Sequence, residues 1–336
     1  IEMTVISVNF DNPSKIYQPG QTISGYVSVE NKNTLSARSI TVAAQGYCKV
    51  RWTEGSGTDT QTYSNKNKYY KLQSTVWGNG SSSSDLPTGN HTYTFNFVLP
   101  HNIPASKEAL YGKVVHEIKV NIDIPRRIDK HKEAPYIIKT FLDLNKNPKA
   151  KVPIRATKEK HVCCFCCKSG PISAILRIDR TGYIPGDKII INAECTNMTK
   201  RKVTPSAKIV KVTTFSSENF SREKKHHETV STEIKHPEIK SGDTDFWQAQ
   251  AITIPDVEPS YLEHCLIIDV HYYLVLELKI SKTTKNLVVE SEIIIGSHFL
   301  EDTDNYSHGT HAKADLGRGQ GAMSPISPPR KMKILA

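Results

Sequence analysis

The stretch IYQPGQTISGYVSVEN at residues 16–31 returns later in the chain as GYIPGDKIIINAECTN at residues 182–197. Tyr17, Pro19 and Gly20 each have an identical partner 166 positions further on, with no gap between the two copies. Matches that keep one spacing along a whole segment are typical of an internal duplication. The sequence therefore predicts two related domains that follow each other along the chain.

A second set of matches extends the duplication toward the end of each domain. Pro100, Pro104, His116 and Val120 match identical residues 155 positions later, so the first copy holds 11 more residues between the two sets. The polar run at 77–90 is the expected place for them, because loops accept insertions more readily than strands do. The predicted boundaries are 1–145 and 170–297 for the two domains, 146–169 for a basic, cysteine-rich linker, and 298–336 for a disordered tail.

Alternation of apolar and polar residues decides the fold class. Ile23, Val27 and Val29 share one face of a two-residue period, which indicates a strand with one buried face. Pro19 and Gly20 suit the central positions of a type II turn, since proline presets the first φ and glycine supplies a positive second φ. Similar segments recur between turn residues along the chain. We therefore predict an all-β protein of two tandem immunoglobulin-like β-sandwiches.

Charge and composition narrow the range of partners and compartments. The formal net charge of +10 favours anionic partners, such as phosphorylated peptides or acidic lipid surfaces. No apolar run approaches the roughly 18–20 residues that cross a bilayer, and we see no secretory signal. The seven cysteines include four that are crowded together, which is unlike a secreted disulfide framework. We expect reduced thiols and a cytoplasmic location.

Enzyme motifs are missing from the sequence. It contains no nucleophile elbow, phosphate-binding loop, zinc-protease motif or dinucleotide fingerprint. His116 and His271 repeat between the copies inside strand-like segments, which indicates structural residues rather than two active sites. The arginine-and-aromatic pattern of RNA-binding modules is also missing. We expect a protein that is not an enzyme, uses no cofactor or metal, and binds no nucleic acid.

Several segments resemble one family over residues 3–297. They are QGYCKVRWTEG (45–55), LYGKVVHEIKVNID (110–123), CKSGPISAILRIDRTGYIPGDKIIINAECTN (167–197) and PSYLEHCLIIDVHYYLVLEL (259–278). These are similar to the arrestin domain-containing proteins, or α-arrestins. The resemblance implies an arrestin N and an arrestin C domain in a non-enzymatic cytoplasmic adaptor. Such an adaptor binds membrane receptors or transporters and promotes their ubiquitination, endocytosis or endosomal sorting, peripherally at the plasma membrane and endosomes.

The tail differs from the family pattern at its ligase-docking motif. Many α-arrestins carry Pro-Pro-x-Tyr, which docks on WW domains, whereas here Pro328 and Pro329 are followed by Arg330. Recruitment of HECT-type ubiquitin ligases is therefore expected to be indirect. A ligase-independent trafficking scaffold and a two-sandwich extracellular binding module are the alternatives. Ser324 and Ser327, each followed by proline, are candidate phosphorylation sites.

Clustered basic residues predict an anion-binding or cargo-binding face. In folds of the resembled family, strands and loops of this kind can present cations to acidic or phosphorylated receptor tails, where charge-assisted hydrogen bonds add affinity. The opposing interpretation is a set of ordinary solvated lysines. The candidate residues are Lys49, Arg51, Lys66, Lys68, Lys71, Lys200, Arg201 and Lys202.

Four cysteines, Cys163, Cys164, Cys166 and Cys167, lie at the junction of the two predicted domains. They are too close in sequence to converge on one tetrahedral zinc ion. A packed linker strand is one interpretation, because free cysteine behaves as a small apolar residue when buried. Reversible S-acylation beside lysines, at an acidic lipid surface, is the other. The segment 241–247 lacks the cysteine that thioredoxin-binding α-arrestins place just before a tryptophan, so no thioredoxin partner is expected.

Overall fold

The computed structural model describes residues 4–164, 167–218, 224–282 and 285–298, with no side chains over 162–169. Within these ranges the regular structure is β-strand, apart from three 3₁₀ turns at Gly57–Asp59, Leu144–Lys146 and Pro148–Lys151. This confirms the predicted all-β class. No helix in this part of the chain is long and apolar enough to cross a membrane.

The first sandwich contains eleven strands in the described residues. They are β1 (Thr4–Phe10), β2 (Ile16–Tyr17), β3 (Thr22–Asn31), β4 (Leu35–Ala37), β5 (Ser39–Glu54), β6 (Gln61–Gly78), β7 (Ser84–Leu86), β8 (Gly89–Val98), β9 (Lys107–Ala109), β10 (Gly112–Asp123) and β11 (Lys130–Ile138). One sheet has the order β1-β3-β8, and the larger has the order β2-β11-β10-β5-β6, with β9 paired to β10. The short strands β4 and β7 pair separately. The buried faces of the two larger sheets enclose the first core.

The second sandwich repeats this topology. Its strands are β12 (Ile154–Cys164), β13 (Cys167–Ile178), β14 (Gly182–Tyr183), β15 (Lys188–Asn197), β16 (Val203–Ser216), β17 (Lys224–Lys235), β18 (Thr244–Thr253), β19 (Ile268–Ile280) and β20 (Leu287–Ile295). The sheet orders are β12-β13-β15-β18 and β14-β20-β19-β16-β17. Because β2 and β14 pair in parallel with β11 and β20, the duplicated segments occupy equivalent places. Two tandem sandwiches are thus confirmed.

The repeated turn before β3 and β15 has the geometry that its glycines predict. Gly20 has a φ of 82° and Gly186 a φ of 93°, values that a side chain would disfavour. The backbone N–H of Gln21 donates to the carbonyl of Gln18 at 3.1 Å and closes the first turn. Both turns therefore begin the strand that follows in the same register.

Strand β12 differs from the expectation of a linker over residues 146–169. It pairs antiparallel with β13 along the edge of the second sandwich, where Ile154 and Ala156 pack against the core. Arg155 and Glu159 lie on its exposed face. An edge strand tolerates such charges because one of its faces is solvated, and these charges made the segment resemble a linker in the sequence.

The matched histidines do not occupy equivalent positions. His116 faces the first core, and its Nε2–H donates to the carbonyl of Pro104 at 3.0 Å. The residue that makes the corresponding contact is Tyr272, whose hydroxyl donates to the carbonyl of Glu258 at 2.9 Å. His271 is on the opposite face of its strand. The structural counterpart of His116 is thus Tyr272 and not His271, which is one position earlier. Because side chains alternate along a strand, a shift of one residue reverses the face, so this part of the sequence match was wrong by one position.

The two sandwiches meet along an apolar seam. Strands β5 and β10 continue past the first core, so their inward face packs against the second sandwich instead. The fully buried side chain of Phe215 contacts Tyr111 edge to face, with ring centroids 5.5 Å apart. The buried residues of this cluster are Cys48, Val50, Trp52, Val114, Phe215, Leu262, Ile267 and Ile268.

Candidate functional site: a basic face on the first sandwich

The outer face of β5 and β6 is basic because the strand alternation places apolar residues on the other side. In β5, Cys48, Val50 and Trp52 point into the seam, and Lys49 and Arg51 between them are exposed. Residues on one face of a strand recur every second position. The same strand therefore supplies both part of the seam and a pair of outward cations.

Three lysines form a row across neighbouring strands. Lys49 of β5 lies opposite Lys113 of β10 on one side and opposite Lys66 of β6 on the other. Adjacent strands are about 4.8 Å apart, and like charges placed directly opposite each other destabilise a sheet. The protein therefore maintains a locally unfavourable charge arrangement on this face, which we call the basic face together with Arg51, Lys68 and Lys71.

A β-bulge keeps the lysines of β6 on one side. The register shifts between Gly46 and Tyr47, so that Tyr70 pairs with Gly46 and Lys68 pairs with Tyr47. Lys68 and Lys71 are three positions apart, and in a regular strand they would point to opposite faces. The extra residue in the bulge brings both to the exposed side. Neither the bulge nor the pairing with Lys113 was apparent from the sequence.

A groove of about 600 Å³ lies beside this row. Its walls include Lys49, Arg51, Lys66 and Lys113, together with hydrogen-bonding side chains such as Asn65. The carboxylates in its lining belong to Glu108 and Glu218, so the charges along the groove sum to a positive balance. An open cleft with this lining can hold an extended acidic ligand by several charge-assisted hydrogen bonds.

The cations of the groove are not neutralised by salt bridges within the described residues. The Lys66 ammonium lies 4.7 Å from the centroid of the Tyr47 ring, a contact that leaves its charge intact. In the corresponding sheet of the second sandwich, Lys208 pairs with Glu277 at 2.8 Å. The unbalanced positive charge is therefore a property of the first sandwich and does not follow from the shared fold.

Comparison with known proteins assigns both sandwiches. Residues 6–145 match the family model of the arrestin (or S-antigen) N-terminal domain, and residues 168–298 match that of the C-terminal domain. The chain belongs to the arrestin family. This arrestin-domain protein is 28% identical over 344 residues to arrestin domain-containing protein 17 of Caenorhabditis elegans, and the match covers 98% of this chain and 79% of that protein.

Two further relatives are similar over most of the chain. Identity is 28% over 298 residues with arrestin domain-containing protein 4 of Mus musculus, covering 86% of this chain and 70% of the relative. Identity is also 28% over 297 residues with the thioredoxin-interacting protein of Homo sapiens, covering 86% of this chain and 73% of that relative. These matches support an adaptor of the arrestin type.

The remaining predicted cations of this arrestin-domain protein lie elsewhere. Lys200, Arg201 and Lys202 are in the loop that leads into β16, at the end of that strand away from the seam. A strand of 14 residues spans roughly 40 Å at 3.3 Å per residue. The structure therefore separates the eight predicted cations into two groups: five are on the basic face, and three are in this loop.

Arg201 and Lys202 are engaged in contacts within the second sandwich. The Arg201 guanidinium donates to the carbonyls of Ser281 and Lys282 at 2.9 and 2.6 Å. Lys202 pairs with Glu238 at 3.0 Å. Arg201 thus ties two loops of the second sandwich together, and this contact is sufficient to account for it.

The cysteine cluster lies at the end of a hairpin. Cys163 and Cys164 end β12 and Cys167 begins β13, with Cys164 opposite Cys167 in the backbone register. Their side chains and all of Cys166 are outside the described part of the chain, so S-acylation and packing both stay predictions. The same holds for the candidate phosphorylation sites Ser324 and Ser327.

Proposed function

We propose that this protein is a cytoplasmic adaptor that binds acidic or phosphorylated segments of membrane receptors or transporters through the basic face. The observation that carries the proposal is the un-neutralised row of Lys113, Lys49 and Lys66 beside an open groove. A phosphoryl group has a charge of about −1.5 to −2 at neutral pH and three strong acceptor oxygens. It would relieve the repulsion within the row and accept hydrogen bonds from two or more of its members.

Arg51 gives the face a second mode of recognition. Its planar guanidinium can bind a carboxylate or phosphate through two parallel hydrogen bonds, whereas each lysine acts as a mobile point charge. Successive ligand side chains on one face of an extended peptide are about 7 Å apart. A peptide with acidic or phosphorylated residues at every second position would therefore meet Arg51 and the lysine row together.

Binding of a labelled peptide tests this proposal. A doubly phosphorylated peptide should bind the wild-type protein and lose at least tenfold in affinity when Lys49, Lys66 and Lys113 are changed together to Gln. The control changes Lys200 and Lys202 to Gln, which removes two positive charges at the other group instead of three at the basic face. Equal losses in the two variants would show that affinity follows net charge rather than the basic face.

The downstream role proposed here is promotion of cargo ubiquitination, endocytosis or endosomal sorting, peripherally at the plasma membrane and endosomes. Its support is membership of the arrestin family together with the proposed cargo face. We propose that HECT-type ligases join through a partner, since residues 1–336 contain no Pro-Pro-x-Tyr motif. Proximity labelling in cells should recover plasma-membrane or endosomal proteins and a ubiquitin ligase, and recovery of neither would refute this role.

A ligase-independent trafficking scaffold is the second candidate, and the missing docking motif favours it. The two candidates differ in what happens to the bound receptor. If receptor ubiquitination is the same with and without this protein while receptor sorting changes, the scaffold role replaces the ligase role.

A further inference from the structure

Two thiols face each other across the seam between the sandwiches. Cys48 of β5 and Cys265, in the loop before β19, are 217 positions apart in sequence, and their Sγ atoms are 3.7 Å apart. Cys48 is fully buried, whereas Cys265 is partly exposed. Leu266, next to Cys265, is 80% exposed and lines a second groove of about 610 Å³. Because Cys265 itself is partly exposed, a small reagent can approach the pair from its side.

The surroundings of the two sulfurs give them different chemistry. The Tyr69 hydroxyl donates to Cys265 Sγ at 3.2 Å. The Cys48 thiol, the Tyr69 hydroxyl and the backbone N–H groups of Ile267 and Ile268 outweigh burial and lower the pKa of Cys265. The hydrogen bond to Cys265 and burial raise the pKa of Cys48. Cys265 is therefore the more easily deprotonated of the two sulfurs and the better nucleophile.

We propose that Cys48 and Cys265 form an oxidative modification site, at which a hydroperoxide converts the two thiols into a disulfide that joins the two sandwiches. A disulfide has a sulfur–sulfur distance near 2.05 Å, so the atoms must approach each other by roughly 1.6 Å. Cys265 lies in a loop that precedes β19, and it can move more easily than Cys48, which is fixed in the middle of β5.

The reaction proceeds in two balanced steps. The Cys265 thiolate attacks one oxygen of the hydroperoxide, the O–O bond breaks, and the departing alkoxide or hydroxide takes a proton from water. This leaves a sulfenic acid on Cys265. The Cys48 sulfur then attacks the sulfenic sulfur, the S–O bond breaks, and the hydroxide leaves as water with the Cys48 proton. Overall, two thiols lose two electrons and one hydroperoxide is reduced.

Cys195 provides an internal comparison. It is fully buried in the core of the second sandwich, and burial raises its pKa to about 12. The structure gives it no thiol neighbour among the described cysteines. A thiol in this state is protonated at neutral pH and protected from reagents, so it should react far more slowly than Cys265.

Peptide mapping of the full chain tests the proposal. The reduced protein is treated with hydrogen peroxide, its remaining thiols are alkylated, and it is digested at acidic pH without reductant. We expect a linked peptide pair that contains Cys48 and Cys265 and disappears after reduction. A map in which both residues stay alkylatable while the cysteines at 163–167 are oxidised would overturn the proposal.

Single variants test the order of the two steps. With Cys48→Ser, dimedone should trap a sulfenic acid on Cys265, and with Cys265→Ser, Cys48 should remain unlabelled. Cys195→Ser is the control and should form the Cys48–Cys265 link in the same yield as the wild type. Labelling of Cys48 in the Cys265→Ser variant would contradict the assigned roles. The wild-type peptide map does not depend on the folding of any variant.

Discussion

Replacing Lys49 with Gln should stabilise the protein and weaken its binding of anions at the same time. Lys49 lies between Lys113 and Lys66, so the change removes two like-charge pairs across neighbouring strands. Each such pair costs a few tenths of a kcal/mol at an exposed position. At low ionic strength, the free energy of unfolding of the variant should therefore be about 0.5–1 kcal/mol higher than that of the wild type. Urea denaturation measures this difference, and it should shrink at about 0.5 M salt as the charges are screened.

The Lys208→Gln variant is the matched control with the opposite expected sign. Lys208 is in β16, the counterpart of β5, and it pairs with Glu277 at 2.8 Å. Its loss should lower the free energy of unfolding by about 0.5–1 kcal/mol. If Lys49→Gln destabilises the protein as Lys208→Gln does, or if its gain persists in high salt, electrostatic repulsion on the basic face is not the cause.

Three further substitutions test the seam and the first core. Phe215→Ala removes a fully buried ring and should cost about 3–5 kcal/mol in denaturant unfolding, whereas Phe246→Ala, 62% exposed, should cost little; similar losses would argue against the seam. Burial lowers the pKa of His116 to about 4, below its value of about 6.5 in an unfolded chain, so stability should fall by about 3 kcal/mol as the pH falls from 6.5 to 4. His116→Gln should flatten that dependence of stability on pH, and an unchanged profile would show that His116 is not its cause. A Cβ at position 46 would lie 2.4 Å from the Tyr70 ring, so Gly46→Ala should cost about 1–3 kcal/mol, and a neutral result would contradict the close approach.

Much of the fold was predictable because the duplicated strand and turn obey simple periodicities. The two-residue period of Ile23, Val27 and Val29 indicates a half-buried strand without any knowledge of the rest of the fold, and the turn glycine requires a positive φ. Edge strand β12 was missed because its exposed charges conceal the alternation of Ile154 and Ala156. Edge strands need only one apolar face, so their sequences overlap with those of charged linkers.

The candidate site was only partly predictable, since it depends on strand register. The sequence identifies Lys49, Arg51 and Lys66 as clustered cations, but it does not give the pairing that places Lys113 beside them. A bulge changes the face of a residue without a clear signal in composition. Proximity of Cys48 to Cys265 depends on how the two sandwiches pack, and no local pattern predicts a contact over 217 positions.

The central claim is that an acidic or phosphorylated peptide binds to the basic face of the first sandwich. Photo-crosslinking tests it most directly, with a doubly phosphorylated peptide that carries a photoreactive side chain between its phosphates. Mass spectrometry of the crosslinked protein should locate the attachment within residues 47–51, 64–71 and 111–113, and competition with unlabelled phosphopeptide should abolish it. Specific crosslinks confined to residues 200–202, or to the outer face of the second sandwich around Lys208, would contradict the claim.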